Sequence, residues 1–167
     1  SKMFGQRMVE NFTWVKDRMD PGGLFNPGKI VRSPRMDDQR VMRYGPGYAV
    51  AEMKTVFDWP GYSGAGRGFQ GAVEMCNNNG ACRKLKDGAM CPSYRVTRDE
   101  RDLTRGRANT LRLAISGQLG PDAYTSDKVS QALSLCVSCK ACRRECPTGV
   151  DMAKMKIEFL HQYHQRH

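Results

Sequence analysis

Cys136-Val-Ser-Cys139-Lys-Ala-Cys142-Arg-Arg-Glu-Cys146-Pro147 is the stretch on which the reading of this chain turns. Four cysteines fall within eleven residues in the pattern C-x2-C-x2-C-x3-C-P. Cysteines three residues apart let one tight turn present three thiolates to neighbouring corners of a cube, with backbone amides pointing at the sulfurs. This is the ligand run of a cubane iron–sulfur cluster. A zinc site usually draws its cysteines in pairs from two separated knuckles. The spacing therefore points to a [4Fe–4S] cluster on Cys136, Cys139 and Cys142.

In two-cluster proteins the last cysteine of such a run serves the other cluster, so the fourth ligand comes from elsewhere. Cys91-Pro92 is the only other Cys-Pro pair. It closes an upstream segment, Cys76-Asn-Asn-Asn79-Gly-Ala-Cys82, then eight residues, then Cys91. Laid over the run, Cys76 matches the first cysteine, Cys82 the third and Cys91 the fourth, while Asn79 stands where the second belongs. The expected ligation is crossed. One cluster takes Cys91, Cys136, Cys139 and Cys142, and a second site takes Cys76, Cys82 and Cys146. An amide is a poor iron ligand beside thiolates. The second site thus stays open between a [3Fe–4S] cluster, a [4Fe–4S] cluster with a labile corner, and buried cysteines without a cluster.

With 167 residues, 40% of them hydrophobic, the chain has room for one ordinary domain, or a small one with appendages, and a modest core. Seven cysteines, an odd number, pair badly as disulfides and suit metal chemistry in a reducing compartment. No apolar run is long enough to span a bilayer, and Ser1-Lys-Met-Phe4 begins no signal core. A cytoplasmic protein, free or peripheral to a membrane, is expected. The net charge is +10, from 27 Lys and Arg against 17 Asp and Glu. Such an excess raises the alternative of a basic zinc or iron–sulfur module that binds nucleic acid. Cluster thiolates cancel part of it, a four-thiolate cubane carrying roughly −2. Aromatics are only 8%, and the basic residues mix with Asp99, Glu100 and Asp102, so no nucleic-acid partner is expected.

Phe4, Met8, Phe12, Val15 and Met19 recur at helical spacing and predict a helix over 4–19, stopped by Asp20-Pro21. Lys29-Ile-Val31 suits a short strand. Residues 32–70 are rich in Gly and Pro and predict an extended linker, with Thr55-Val-Phe-Asp-Trp59 as an anchor. Helices are predicted over 107–118, through Ala108, Leu111 and Ile115, and over 127–135, through Val129, Ala132 and Leu133, with Ser126 as N-cap. Thr148-Gly-Val-Asp151 reads as a capping box before a last helix striped by Met152, Met155 and Phe159. The fold class is mainly α, with ligand loops at helix ends.

Met75-Cys-Asn-Asn-Asn-Gly-Ala-Cys82-Arg-Lys, Met90-Cys-Pro-Ser-Tyr-Arg-Val-Thr97 and Thr104-Arg-Gly-Arg-Ala-Asn109 together resemble the bacterial FAD-linked oxidases with a fused iron–sulfur domain. These are related to D-lactate, glycolate and D-2-hydroxyglutarate dehydrogenases. Asp20-Pro-Gly-Gly-Leu-Phe-Asn-Pro-Gly-Lys-Ile-Val31 resembles the closing segment of their flavin domain. The cysteine region also resembles the α-helical ferredoxin domain of succinate dehydrogenase iron–sulfur subunits, which implies ligand roles for Cys91, Cys136, Cys139 and Cys142. The resemblance implies three parts: a flavin-domain remnant over 1–34, a linker over 35–68, and an α-helical ferredoxin-like domain over 69–167. It further implies that FAD sits in an upstream domain, and that this chain is a fragment that relays electrons rather than oxidising a hydroxy acid itself. The stop at His167 within a helical stretch agrees with a fragment. A cluster that only staples the core shares every ligand and is the other reading.

Three weaker signals stand beside these. Gly66-Arg-Gly-Phe-Gln-Gly71, with Asp87 beyond, matches a dinucleotide-binding pattern, but lacks a preceding buried strand and a full following helix. A linker is expected there. His161, His164 and His167 share one helical face and suit a helix C-terminus better than a metal. Arg83, Lys84, Arg95, Arg105, Arg107, Arg143 and Arg144 flank the cysteines. Some could offset cluster charge, while solvation accounts for most. The Thr104-Arg-Gly-Arg-Ala segment could contact phosphates, but the resemblance implies a loop that packs against the clusters instead.

Overall fold

The computed structural model describes residues 3–45, 47–49, 52–62 and 67–167. Seven α-helices and four short 3₁₀ turns carry the regular structure, and no strand occurs among the described residues. The chain is therefore mainly α. No helix among these residues is long and apolar enough to cross a membrane. Two units, 1–48 and 49–167, each gather their own contacts.

In the first unit, α1 spans Gln6–Met19 and buries no residue. Its stripe is nonetheless real, with the Phe4 and Phe12 rings edge to face at 5.5 Å. Asp20 ends the helix as expected. Its N–H donates to the Lys16 carbonyl, and its carboxylate accepts from the N–H groups of Leu24 (2.9 Å) and Phe25 (3.0 Å). The Lys16 ammonium, with these two amides, holds the Asp20 pKa down to about 2. Lys29–Val31 is not a strand. Ile30 has φ 65° and the Val31 N–H bonds back to the Lys29 carbonyl, so the segment closes on itself. A 3₁₀ turn, Gln39–Val41, interrupts the linker.

The second unit is built on the helix α4, Thr104–Ile115, which packs against α2 (Gly68–Glu74), α5 (Asp127–Ser134) and α7 (Met152–Arg166). Its buried face, Arg107, Ala108, Leu111, Ala114 and Ile115, is one helical stripe. The predicted stripes of α5 and α7 are buried as well. Helix α3, Pro92–Thr97, and helix α6, Ala141–Glu145, are short and lie next to the cysteine loops. The remaining 3₁₀ turns are Ala81–Arg83, Glu100–Asp102 and Ala123–Thr125.

Helix ends depart from the sequence expectation for local reasons. Ser126 occupies the N-cap position of α5, but its hydroxyl donates to the Ala123 carbonyl (2.7 Å) instead. The capping box at Thr148 does not form. Asp151 is itself the N-cap, accepting from the Lys154 N–H (3.1 Å). In the glycine pattern, Gly66 and its neighbours 63–65 lie outside the described residues, as do linker positions 46, 50 and 51. Gly68, Phe69, Gln70 and Gly71 open α2, and that helix ends at Glu74. His167 leaves the histidine row and stacks on Tyr163 at 4.6 Å.

The anchor at 55–59 is held by a residue that periodicity does not single out. Glu158 is fully buried on α7 and accepts from the N–H groups of Val56 (3.0 Å) and Phe57 (3.1 Å) and from Trp59 Nε1 (3.3 Å). Three donors make burial of a carboxylate tolerable. Lys154 adds a hydrogen bond to the Asp58 carbonyl (2.7 Å) and lies 4.1 Å from the Trp59 ring centre.

Gly106 shows what the junction of α4 with the 100–102 turn requires. A Cβ there would stand 2.0 Å from the Glu100 carbonyl oxygen. Alanine is the better helix former by about 1 kcal/mol, yet Gly106→Ala is expected to destabilise the protein by about 1–3 kcal/mol through overpacking. Urea unfolding followed by circular dichroism measures this, and a stabilised variant would refute the close approach.

Candidate metal centre

The turn that carries Cys136, Cys139 and Cys142 needs backbone that few residues adopt. Ser138 has φ 53° and Lys140 φ 58°, two left-handed residues that curl the loop between α5 and α6. Cys91, at the N-cap of α3, has φ 50°, and Pro92 then starts the helix. Non-glycine residues in this region cost of order 1–3 kcal/mol each and gather where function requires them. Two ties from afar hold the loops. Lys156 on α7 donates to the carbonyls of Ser134 (3.2 Å) and Cys136 (2.7 Å). Glu145 on α6 accepts from the N–H groups of Ala89 (2.8 Å) and Met90 (3.2 Å), clipping one cysteine segment to the other.

These constraints bring Cys91, Cys136, Cys139 and Cys142 to the wall of a single cavity, with Ser93, Thr104, Arg107, Met152 and Ala153 completing it. Cys91 and Cys142 are buried, Cys136 is half-buried and Cys139 exposed. Two helix N-termini point at the sulfurs. The Thr104 N–H at the start of α4 donates to Cys91 Sγ (3.1 Å), and the Thr104 hydroxyl is also 3.1 Å from it. The Met152 N–H at the start of α7 donates to Cys142 Sγ (3.4 Å). Unpaired N–H groups and the helix dipole both favour negative charge at such a position.

As free thiols Cys91 and Cys142 resist ionisation. Burial pushes the Cys91 thiol up, opposed by the Thr104 hydroxyl and N–H and by the Arg107 charge. Burial likewise pushes Cys142 up, opposed by the N–H groups of Met152 and Ala153. The donors that oppose burial are those a bound thiolate would use. Among the described residues, no three His, Cys, Asp or Glu side chains stand at the spacing of ligands on one metal ion. A cubane holds its four thiolates at its corners, farther apart than four ligands on one ion. Four cysteines around one cavity, with amides aimed at the sulfurs of Cys91 and Cys142, fit such a group.

Cys76, Cys82 and Cys146 do not line this cavity. Cys76 and Cys82 are buried, and Cys76 Sγ donates to Asn78 Oδ1 (3.7 Å). Burial pushes the Cys82 thiol up, opposed by Arg105, with Cys91 and Cys76 in electrostatic reach. Cys146 Sγ lies 3.3 Å from Thr148 Oγ1. Asn79 is spent on its own turn, its Oδ1 accepting from the Ala81 N–H (2.8 Å) and its Nδ2 donating to Asn77 Oδ1 (2.5 Å).

Of the seven flanking cations, Arg107 alone lines the cavity. Arg83 and Arg105 pair with Glu100 at 3.0 and 2.6 Å, and Arg95 donates to the Asp87 carbonyl (2.6 Å). Lys84, Arg143 and Arg144 are exposed. Thr104 and Arg107 of the Thr104–Ala108 segment line the cavity. Glu145, Lys156, the α7 N-terminus and the particular contact of Thr104 with Cys91 were not legible in the sequence. Their roles come from backbone atoms and long-range pairs, for which a sequence has no spacing rule.

Residues 72–150 match the family model of the 4Fe-4S dicluster domain. The chain is 27% identical to a D-2-hydroxyglutarate dehydrogenase of Escherichia coli, over 98% of this chain and 19% of that protein. It is 25% identical to the Haemophilus influenzae enzyme of the same name, over 99% of this chain and 19% of that one. A probable glycolate oxidase iron–sulfur subunit of Bacillus subtilis is 33% identical over 45% of this chain and 16% of its own length. The chain thus spans under a fifth of the first two relatives. No solved structure matches it. Residues 72–150 thus match a 4Fe-4S dicluster domain, within a chain homologous to D-2-hydroxyglutarate dehydrogenases and to a glycolate oxidase iron–sulfur subunit.

Proposed function

We propose that this chain is the electron-transfer part of a larger FAD-linked oxidoreductase acting on a 2-hydroxy acid, with Cys91, Cys136, Cys139 and Cys142 holding a [4Fe–4S] cluster. The observation that carries this reading is Cys91. It lies 45 residues before Cys136 in the sequence yet shares one cavity with the first three cysteines of the run. The 2-hydroxy acid rests on the names of the relatives and on their shared length with this chain. FAD is assigned to the flavin-bearing part of the larger enzyme, and residues 1–34, 35–68 and 69–167 to flavin-domain tail, linker and cluster domain.

When bound, the cluster supplies one-electron acceptance from a two-electron flavin. The chain's own residues position and insulate it. Cys91 and Cys142 bring their sulfurs under the N-termini of α4 and α7, where amides offset thiolate charge. Met152 and Ala153 close the cavity from the α7 side. The exposed edge at Val137 and Cys139 is the route by which electrons enter or leave. Cys76, Cys82 and Cys146 are assigned to a second site that lacks a thiolate at Asn79. This favours a [3Fe–4S] centre or a cubane with one labile corner over a complete four-cysteine site.

Anaerobic reconstitution, with iron and sulfide analysis and electron paramagnetic resonance before and after dithionite, tests the reading. About four irons and a signal only on reduction correspond to one cluster, and about seven or eight to two. Zinc bound in place of iron and sulfide would refute it. Reduced free flavin should bleach the cluster reversibly, and a cluster that never cycles would leave only a stapling role. Thr104→Val keeps the shape of the wall but removes one hydrogen bond to Cys91 Sγ. It should leave iron content near wild type and shift the reduction potential to a more negative value, read by dye-mediated titration.

A further inference from the structure

Arg107 carries a fixed charge that its two hydrogen bonds do not neutralise. It is 2% exposed and sits in the cavity wall with the four cysteines. A guanidinium stays protonated in proteins, and burying a charge costs several kcal/mol unless it is well paired. Its hydrogen bonds go to neutral groups. Nε donates to the Ala132 carbonyl (3.1 Å) and Nη2 to Ser93 Oγ (3.0 Å).

The nearby carboxylate is poorly placed to neutralise it. Asp102 is 1% exposed, but its Oδ1 is 3.8 Å from Arg107 Nη2 and 3.9 Å from Arg101 Nε, and accepts no hydrogen bond. The pair is held in that relation by Ser93, whose hydroxyl donates to the Asp102 carbonyl (2.7 Å) while accepting from Arg107. Part of the Arg107 charge is therefore left for the cysteine sulfurs that share its cavity.

We infer that Arg107 sets the reduction potential of the cluster and that Asp102 trims its effect; the inference rests on the proposed ligation by Cys91, Cys136, Cys139 and Cys142. Reduction adds one electron, with no bond made or broken, so the charge in the cavity becomes more negative by one. A buried cation stabilises that state more than the oxidised one. A buried anion behind the cation does the reverse. Neither residue touches iron in this scheme; both act through the field at the sulfurs.

The two residues must then act with opposite signs, which a merely structural role does not produce. Reconstituted Arg107→Met, Arg107→Lys and Asp102→Asn proteins are titrated with redox dyes and followed by electron paramagnetic resonance. Iron and sulfide are measured on each sample. Arg107→Met is expected to lower the reduced-to-oxidised ratio at fixed poise about tenfold, equal to about 59 mV for one electron. Arg107→Lys should keep most of the wild-type value, and Asp102→Asn should shift it the other way. Should Arg107→Met fail to load a cluster, the sign of the Asp102→Asn shift decides. An unchanged or more negative potential in Asp102→Asn, or equal shifts in Arg107→Met and Arg107→Lys, overturns the inference. Failure of the wild type to bind iron and sulfide would instead sink the ligation itself.

Discussion

Four cysteines ionised as cluster ligands around one cavity would repel one another, and the cysteine half of this molecule is arranged in a way that would offset that repulsion. The offset comes from directions that the cysteine loop cannot supply by itself. Helices α4 and α7 end on Cys91 and Cys142 with their N–H groups forward. Each such helix end is worth about 0.3–1 kcal/mol at an exposed site and up to about 2 kcal/mol when partly buried. Arg107 adds a full positive charge from the same α4 helix. A single helix thus brings a dipole, a hydroxyl and a cation to one side of the site.

That arrangement explains why α4 is the helix around which the second unit packs. Its first turn must reach the sulfur of Cys91, so it must pass close over the 100–102 turn, where Gly106 leaves no room for a Cβ. Its other end meets α2 and the aromatic row Trp59, Phe69, Tyr124 and Phe159, with successive ring centres 5.0, 6.2 and 5.7 Å apart. Electron transfer benefits from such a fixed frame. Little would have to move on reduction of a bound cluster, because the groups that would offset the added charge are already in place.

Much of this was legible in the sequence where a physical period governs it. The buried stripes of α4, α5 and α7 follow the 3.6-residue repeat, so Leu111, Leu133 and Phe159 were found in the core. Helix ends were less legible, because competing hydrogen bonds decide them. Ser126 turned to the Ala123 carbonyl, and Asp151 displaced Thr148 as the cap. The strand at Lys29–Val31 failed because Ile30 takes a left-handed conformation that its β-branched side chain gives no reason to expect. Cys-x2-Cys spacing and the second Cys-Pro pair pointed to Cys91 as the distant cysteine of the site. Glu158 and Glu145 had no signature at all. Their partners are backbone amides 102 and 56 residues away, and no local pattern encodes such a pairing.

Anomalous diffraction at the iron edge, on anaerobically grown crystals of the reconstituted protein, tests the central claim most directly. The account predicts iron density of cubane size enclosed by Cys91, Cys136, Cys139 and Cys142, with the Thr104 and Met152 amides facing its sulfurs. A single ion in that cavity, or iron bound without Cys91, would contradict it.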